Sequence, residues 1–354
     1  MLKRIFRQLL LIPLIIFGFW LIQQLAIATS YGMDFKVGGE IDTLYYYYHY
    51  RDDTPDYFQD LMDLNNTLLK LSSSLQFDDY RYEFKISGNA EERRFYLDQA
   101  TVCGQTEGLV VEAGKKDWIW GTGYSFTPTY PLDQDIAYWG GEVTGSWSRY
   151  NLALGTAAAE EEYEMDTFWL RTGLLFDTSD LSVIISSRKN SNGDLFNAGL
   201  SASKDFLNGF ELHHELNVRH PGADCDFLIG VQYIGKSDWV FLLEGYHGHN
   251  NLKNYFSDNF EDYLEDYNLE DEPKDWLVLS INNFAAVFKH WQWEIREVVN
   301  LSDSGEIRMI RVKYNKDDRI TPELKITNYV GPSDSQIGMI PFDLEVLLQI
   351  TVKF

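Results

Sequence analysis

PFDLEVLLQITVKF, residues 341–354, decides the fold. From Phe342 the even positions are Phe342, Leu344, Val346, Leu348, Ile350, Val352 and Phe354. Between them stand Asp343, Glu345, Leu347, Gln349, Thr351 and Lys353. Successive side chains of a strand point to opposite faces, so this stretch has one apolar and one mostly polar face. The run is long for an edge strand, and it ends on an aromatic residue. A strand that crosses a bilayer needs about ten residues, with lipid on one face and a watery interior on the other. The alternative from this stretch alone is the last strand of a soluble sandwich.

The N-terminus points to export. Lys3, Arg4 and Arg7 precede an almost wholly apolar run from Leu9 to Leu25, and Ala26-Ile27-Ala28 offers a small-x-small cleavage site. This predicts a signal peptide over residues 1–28, with a retained anchor as the alternative. Its removal leaves 27 basic against 54 acidic side chains, a net charge of −27. So acidic a chain is a poor partner for nucleic acid. Mean hydropathy is only −0.29 although 45% of residues are apolar and 15% aromatic. A helical membrane bundle would be far more apolar, whereas a barrel hides its lipid face in alternation. Cys103 and Cys225 form no metal or haem spacing. Cys103 falls beside a short turn and Cys225 in a loop at the other barrel end. About 25 Å of barrel height separates those ends, so no disulfide is expected.

Alternation and turn residues divide residues 29–354 into strand-like segments. Connections after even-numbered segments are short (DD, GQTE, RY, DTSD, DFLNG, GKSD, KH, NKDDR). Those after odd-numbered segments are often longer, as near residues 49–63, 118–136 and 248–274. Membrane barrels have an even strand number, short periplasmic turns and longer outer loops. The reading is all-β: one transmembrane antiparallel up-and-down β-barrel of about 18 strands, within a range of 16–18.

At this point the chain resembles a known group. Alternation ending in Phe354, with Val352 and Ile350 before it, looks like the C-terminal assembly signal of bacterial outer-membrane barrels. The resemblance implies insertion by the barrel-assembly machinery into a Gram-negative-type outer membrane, against lipids and lipopolysaccharide. The stretch from Leu97 to Asp133 resembles porin-like families, including alginate-export-type barrels. Gly114, Lys115, Trp120, Gly121, Gly123 and Pro128 carry that match.

Alternation predicts which charges face the lumen. On the first half of the chain these are Lys70, Arg81, Glu83, Lys85, Glu112, Lys116, Arg171 and Arg188. On the second half they are Glu211, His213, Glu215, Arg219, Glu244, Glu294, Arg296 and Glu345. Charges inside a membrane barrel face water or one another. Both signs occur, so the set predicts a wet, polar interior with some structural ion pairs. The connection after Asp117 carries Trp118, Trp120, Tyr124 and Phe126, which fold inward as a constriction or form an outward aromatic girdle. The loop from Asp258 to Glu272 holds eight acidic residues; its aromatic spacing fits a short amphipathic helix, and a solvated acidic loop is the alternative.

No GxSxG, HExxH or P-loop occurs. His213 and His214 point to opposite faces, so they cannot act together. No enzyme, metal or cofactor is expected. The expected function is diffusion of small hydrophilic solutes or ions, with a weak cation preference from the acidic balance and a possible homo-oligomer. The alternatives are a barrel that binds or exports surface polysaccharide and a sheath around an electron-transfer protein.

Overall fold

A computed structural model describes residues 34–51, 66–77, 80–89, 94–116, 118, 124, 138–158, 166–190, 193–206, 209–235, 239–248, 274–284, 290–316 and 319–354. Residues 1–28, where a signal peptide is expected, and the acidic loop 258–272 lie outside the described residues.

Eighteen strands run in chain order. They are β1 (Asp34–Tyr50), β2 (Asn66–Phe77), β3 (Tyr80–Asn89), β4 (Arg94–Thr106), β5 (Leu109–Lys116), β6 (Tyr138–Trp147), β7 (Tyr150–Ala158), β8 (Thr167–Phe176) and β9 (Ser179–Asn190). Then come β10 (Gly193–Phe206), β11 (Phe210–His220), β12 (Asp224–Ile234), β13 (Trp239–Gly248), β14 (Lys274–Phe284), β15 (Trp291–Asn300), β16 (Glu306–Tyr314), β17 (Ile320–Val330) and β18 (Phe342–Lys353). Each strand pairs antiparallel with its sequence neighbours, and β1 also pairs with β18. Closure removes the sheet's edges, so every strand has a ladder on both sides.

The outward face is apolar. Leu154, Phe168, Ile185, Phe227, Ile229, Leu243 and Ile310 are exposed along it. At the short-turn end the rings close into a girdle, with Phe210 against Tyr233 at 4.4 Å, Trp239 against Trp293 at 4.9 Å and Trp291 against Tyr314 at 4.8 Å. Such a belt, edged by aromatics, belongs in lipid with its rings at the interface. Cys103 and Cys225 are both free.

On β18 the alternation holds from Leu344 to Val352, with Gln349 and Thr351 reaching inward to Asp42. Phe342 departs from it. The ladder to β1 pairs His49 with Leu344 but Tyr50 with Phe342, skipping Asp343. That irregularity inverts the facing of everything beyond it. Phe342 therefore turns into the lumen, fully buried, rather than towards lipid.

Candidate functional site: the barrel lumen

Inward charges from alternation meet in pairs. Lys70 Nζ lies 2.9 Å from Asp42 Oδ2 and 3.4 Å from Glu40. Arg81 and Glu83 approach to 3.0 Å, and Gln99 donates to Glu83 at 3.1 Å, beside Lys85 in a cavity of about 430 Å³. Glu112 accepts from Lys116 at 2.6 Å, and Arg171 bonds Glu142 at 3.2 Å. Arg188 is partly buried and pairs in the ladder with the buried Thr167. Arg219 bonds Asp226, and Glu215 is almost wholly buried. Under β15–β17 a cavity of about 280 Å³ holds the Arg296–Glu294 pair at 2.7 Å and the Arg311–Glu323 pair at 2.6 Å. Lys325 at its wall bonds Glu345 at 3.4 Å. Placement inside the barrel thus follows the two-residue period, while partners come from neighbouring strands.

The lumen is not polar throughout, which corrects the sequence expectation. Among the described residues, its long-connection half carries two apolar clusters. One joins Tyr48, Leu228, Tyr246, Trp276, Val278, Val298, Ile307, Tyr329 and Phe342 with Ile337 and Ile340. The other joins Trp118, Tyr138, Ala157, Trp169 and Ile184. Inward apolar positions cannot contact lipid, so they are satisfied only by chain that enters the barrel.

Among the described residues, two connections supply that chain. Residues 331–341, between β17 and β18, carry Ile337 and Ile340 into the first cluster, both essentially unexposed. Arg51 clamps the segment: Nε donates to Ile340 O at 2.9 Å and Nη2 to Tyr329 O at 3.2 Å. Ser335 Oγ accepts from Gly338 N at 2.8 Å, and Asp303 accepts from Gln336 N at 3.0 Å. Strand alternation does not single out this segment. Its Gly, Pro and Ser content reads as an ordinary loop, although Ile337 and Ile340, three apart, are the apolar signal that marks it.

The β5–β6 connection is the second. Trp120 and Phe126 lie outside the described residues; Trp118 and Tyr124 are inside the barrel. Trp118 is buried, donates from Nε1 to Tyr138 O at 3.1 Å and tilts against Trp169 at 5.6 Å. Tyr124 stands against β11 and β13. Its N–H donates to Glu244 Oε1 at 2.8 Å, its hydroxyl donates to Glu211 Oε2 at 2.8 Å, and its ring meets His213 edge-on at 5.0 Å. Burial and the Glu211 carboxylate push the Tyr124 hydroxyl's pKa up, so it stays a donor. His213 and Glu244, both fully buried, are joined through Nε2 at 2.8 Å. His214 is exposed on the opposite face.

No protein-family model matches this chain, and no curated protein matches it. Solved structures do. Wzi of Escherichia coli, described as a carbohydrate-binding β-barrel involved in group 1 capsule assembly, aligns with a TM-score of 0.62. The alignment covers 89% of this chain and 84% of Wzi at 10% identity. OccK11 (OpdR) of Pseudomonas aeruginosa gives 0.60 over 91% of this chain and 96% of its own, also at 10% identity. OpdK of the same organism, solved with vanillate, gives 0.60 over 91% and 98% at 8% identity. The fold is that of an outer-membrane β-barrel. The outward apolar belt makes it a membrane-spanning one.

Proposed function

We propose that the chain is an outer-membrane channel that passes small hydrophilic solutes or ions by diffusion, through a lumen narrowed at Tyr124. The observation that carries this reading is the placement of Tyr124, a residue of an outer connection bonded to side chains of β11 and β13. Pore width and wall charge then decide what passes. The wall beside Tyr124 presents the Glu211 carboxylate, which favours cations over anions. OccK11 and OpdK share the fold and support a channel without naming its solute. Lipid and lipopolysaccharide would cover the outward belt, and the assembly machinery would recognise the strand ending in Phe354. Single-channel recording tests the reading: purified barrel in a planar bilayer should give discrete steps, and Tyr124→Ala should enlarge them. Absence of steps from correctly folded protein would reject it.

A polysaccharide-binding barrel is the second reading. It is favoured by the apolar filling of the outer lumen, which suits a closed barrel, and by the overlap with Wzi. The alginate-export-type resemblance of Leu97–Asp133 belongs with it. Saturable binding of an acidic polysaccharide by a barrel that conducts nothing would select this reading. A sheath around a second protein needs a lumen clear of chain, whereas Ile337, Ile340 and Tyr124 already stand in it.

A further inference from the structure

The β5–β6 connection lands on two wall features with one design. In the ladder His213 of β11 faces Gly230 of β12, and Gly230 faces Glu244 of β13. In the same way Trp169 of β8 faces Gly155 of β7, and Gly155 faces Glu142 of β6. In each row a ring lies across the middle strand and bonds a carboxylate two strands away. His213 Nε2 reaches Glu244 at 2.8 Å, and Trp169 Nε1 reaches Glu142 at 2.8 Å. Two strand spacings amount to about 9.5 Å. A side chain crosses that gap at wall level only if the strand between projects nothing. Glycine at the centre meets the condition. A Cβ on Gly230 would lie under 3.0 Å from Nε2 and Cε1 of His213 and from Cγ of Glu244. A Cβ on Gly155 would lie under 3.0 Å from Cε2, Cζ2 and Nε1 of Trp169.

Each bridge carries one described residue of the connection. Trp118 packs on Trp169, and Tyr124 packs on His213 while its N–H bonds the same Glu244 oxygen that His213 holds. We propose that Gly155 and Gly230 are positioning residues: by letting a ring cross to a glutamate, they build the two seats that hold Trp118 and Tyr124 inside the barrel. This rests on the channel reading only for its effect on conductance; the seating itself is read without any solute.

The clash that a methyl group brings at either glycine is with side-chain ends, not with backbone, so the ring leaves its rotamer while the ladder survives. Gly230→Ala should therefore raise exchange of the Tyr124 amide at least tenfold, by hydrogen exchange on protein refolded in detergent. Gly155→Ala should do the same to the indole Nε1 proton of Trp118, by NMR. Heat-modifiable migration on gels reports that the barrel is intact. Gly245→Ala, whose Cβ meets only Ile229 Cγ2 at 3.9 Å, should leave both signals unchanged. If Gly230→Ala does not fold, His213→Ala removes the ring without a clash and should release the Tyr124 amide equally. Unchanged Tyr124 exchange in whichever of these two variants folds overturns the proposal. If exchange rises but no variant alters conductance, the seats stand and the channel reading falls.

Discussion

Arg51→Ala is the perturbation that most directly tests how the 331–341 segment is held. Arg51 donates from Nε to Ile340 O at 2.9 Å and from Nη2 to Tyr329 O at 3.2 Å. Its own N–H donates to Pro341 O at 3.0 Å, and alanine keeps that bond. A hydrogen bond from a charged donor contributes about 1.5–3 kcal/mol, and leaving a buried acceptor unpaired adds cost. The two bonds share one guanidinium and do not add fully. A loss of about 3 kcal/mol in the local opening energy of the segment follows, roughly a hundredfold at 1.4 kcal/mol per decade. The amide of Met339, which donates to Ser335 O at 3.0 Å inside the segment, reports that opening. Its exchange should quicken by about two decades in Arg51→Ala, while amides of β8 and β11 stay as they were. Arg51→Lys should fall between, because one ammonium cannot present the forked donors that reach both carbonyls. A loosened segment should also raise conductance. Unchanged Met339 exchange in folded Arg51→Ala would refute the clamp and leave the packing of Ile337 and Ile340 as the sole anchor.

Two further expectations concern the lumen and the seam. Reversal potentials under a KCl gradient should show cation preference that weakens in Glu211→Gln; since screening lengths fall from about 10 Å at 0.1 M to about 3 Å at 1 M, a preference that vanishes in strong salt would move its cause from this wall to the outer mouth. At the closing seam Phe354 exchanges both backbone bonds with Gly39, each at 3.0 Å, and a Cβ on Gly39 would come within 2.7 Å of the Phe354 ring. Deleting Phe354 should slow membrane assembly in cells, and Gly39→Val should slow it in the same direction; normal assembly rates in both would remove the terminal ring from the signal.

The period of two is written in the chain itself. Along a regular strand a residue's facing follows its parity, and connection lengths alternate, so the all-β barrel and a strand number of about 18 were legible without coordinates. Apolar inward residues such as Val278, Val298 and Ile307 broke the polar expectation because parity says which side a residue faces, not what fills that side. Phe342 was misplaced because a skipped residue exists only relative to the partner strand, and nothing in PFDLEVL marks it. Sequence also named Glu244, His213 and Tyr124 separately, yet their meeting depends on closure. Tyr124 lies 120 residues from Glu244, and only a barrel that brings β13 within reach of the β5–β6 connection joins them. Gly155 and Gly230 were invisible for the same reason. Their meaning lies in the ring and the carboxylate on either side, and those are neighbours in the sheet, not in the chain.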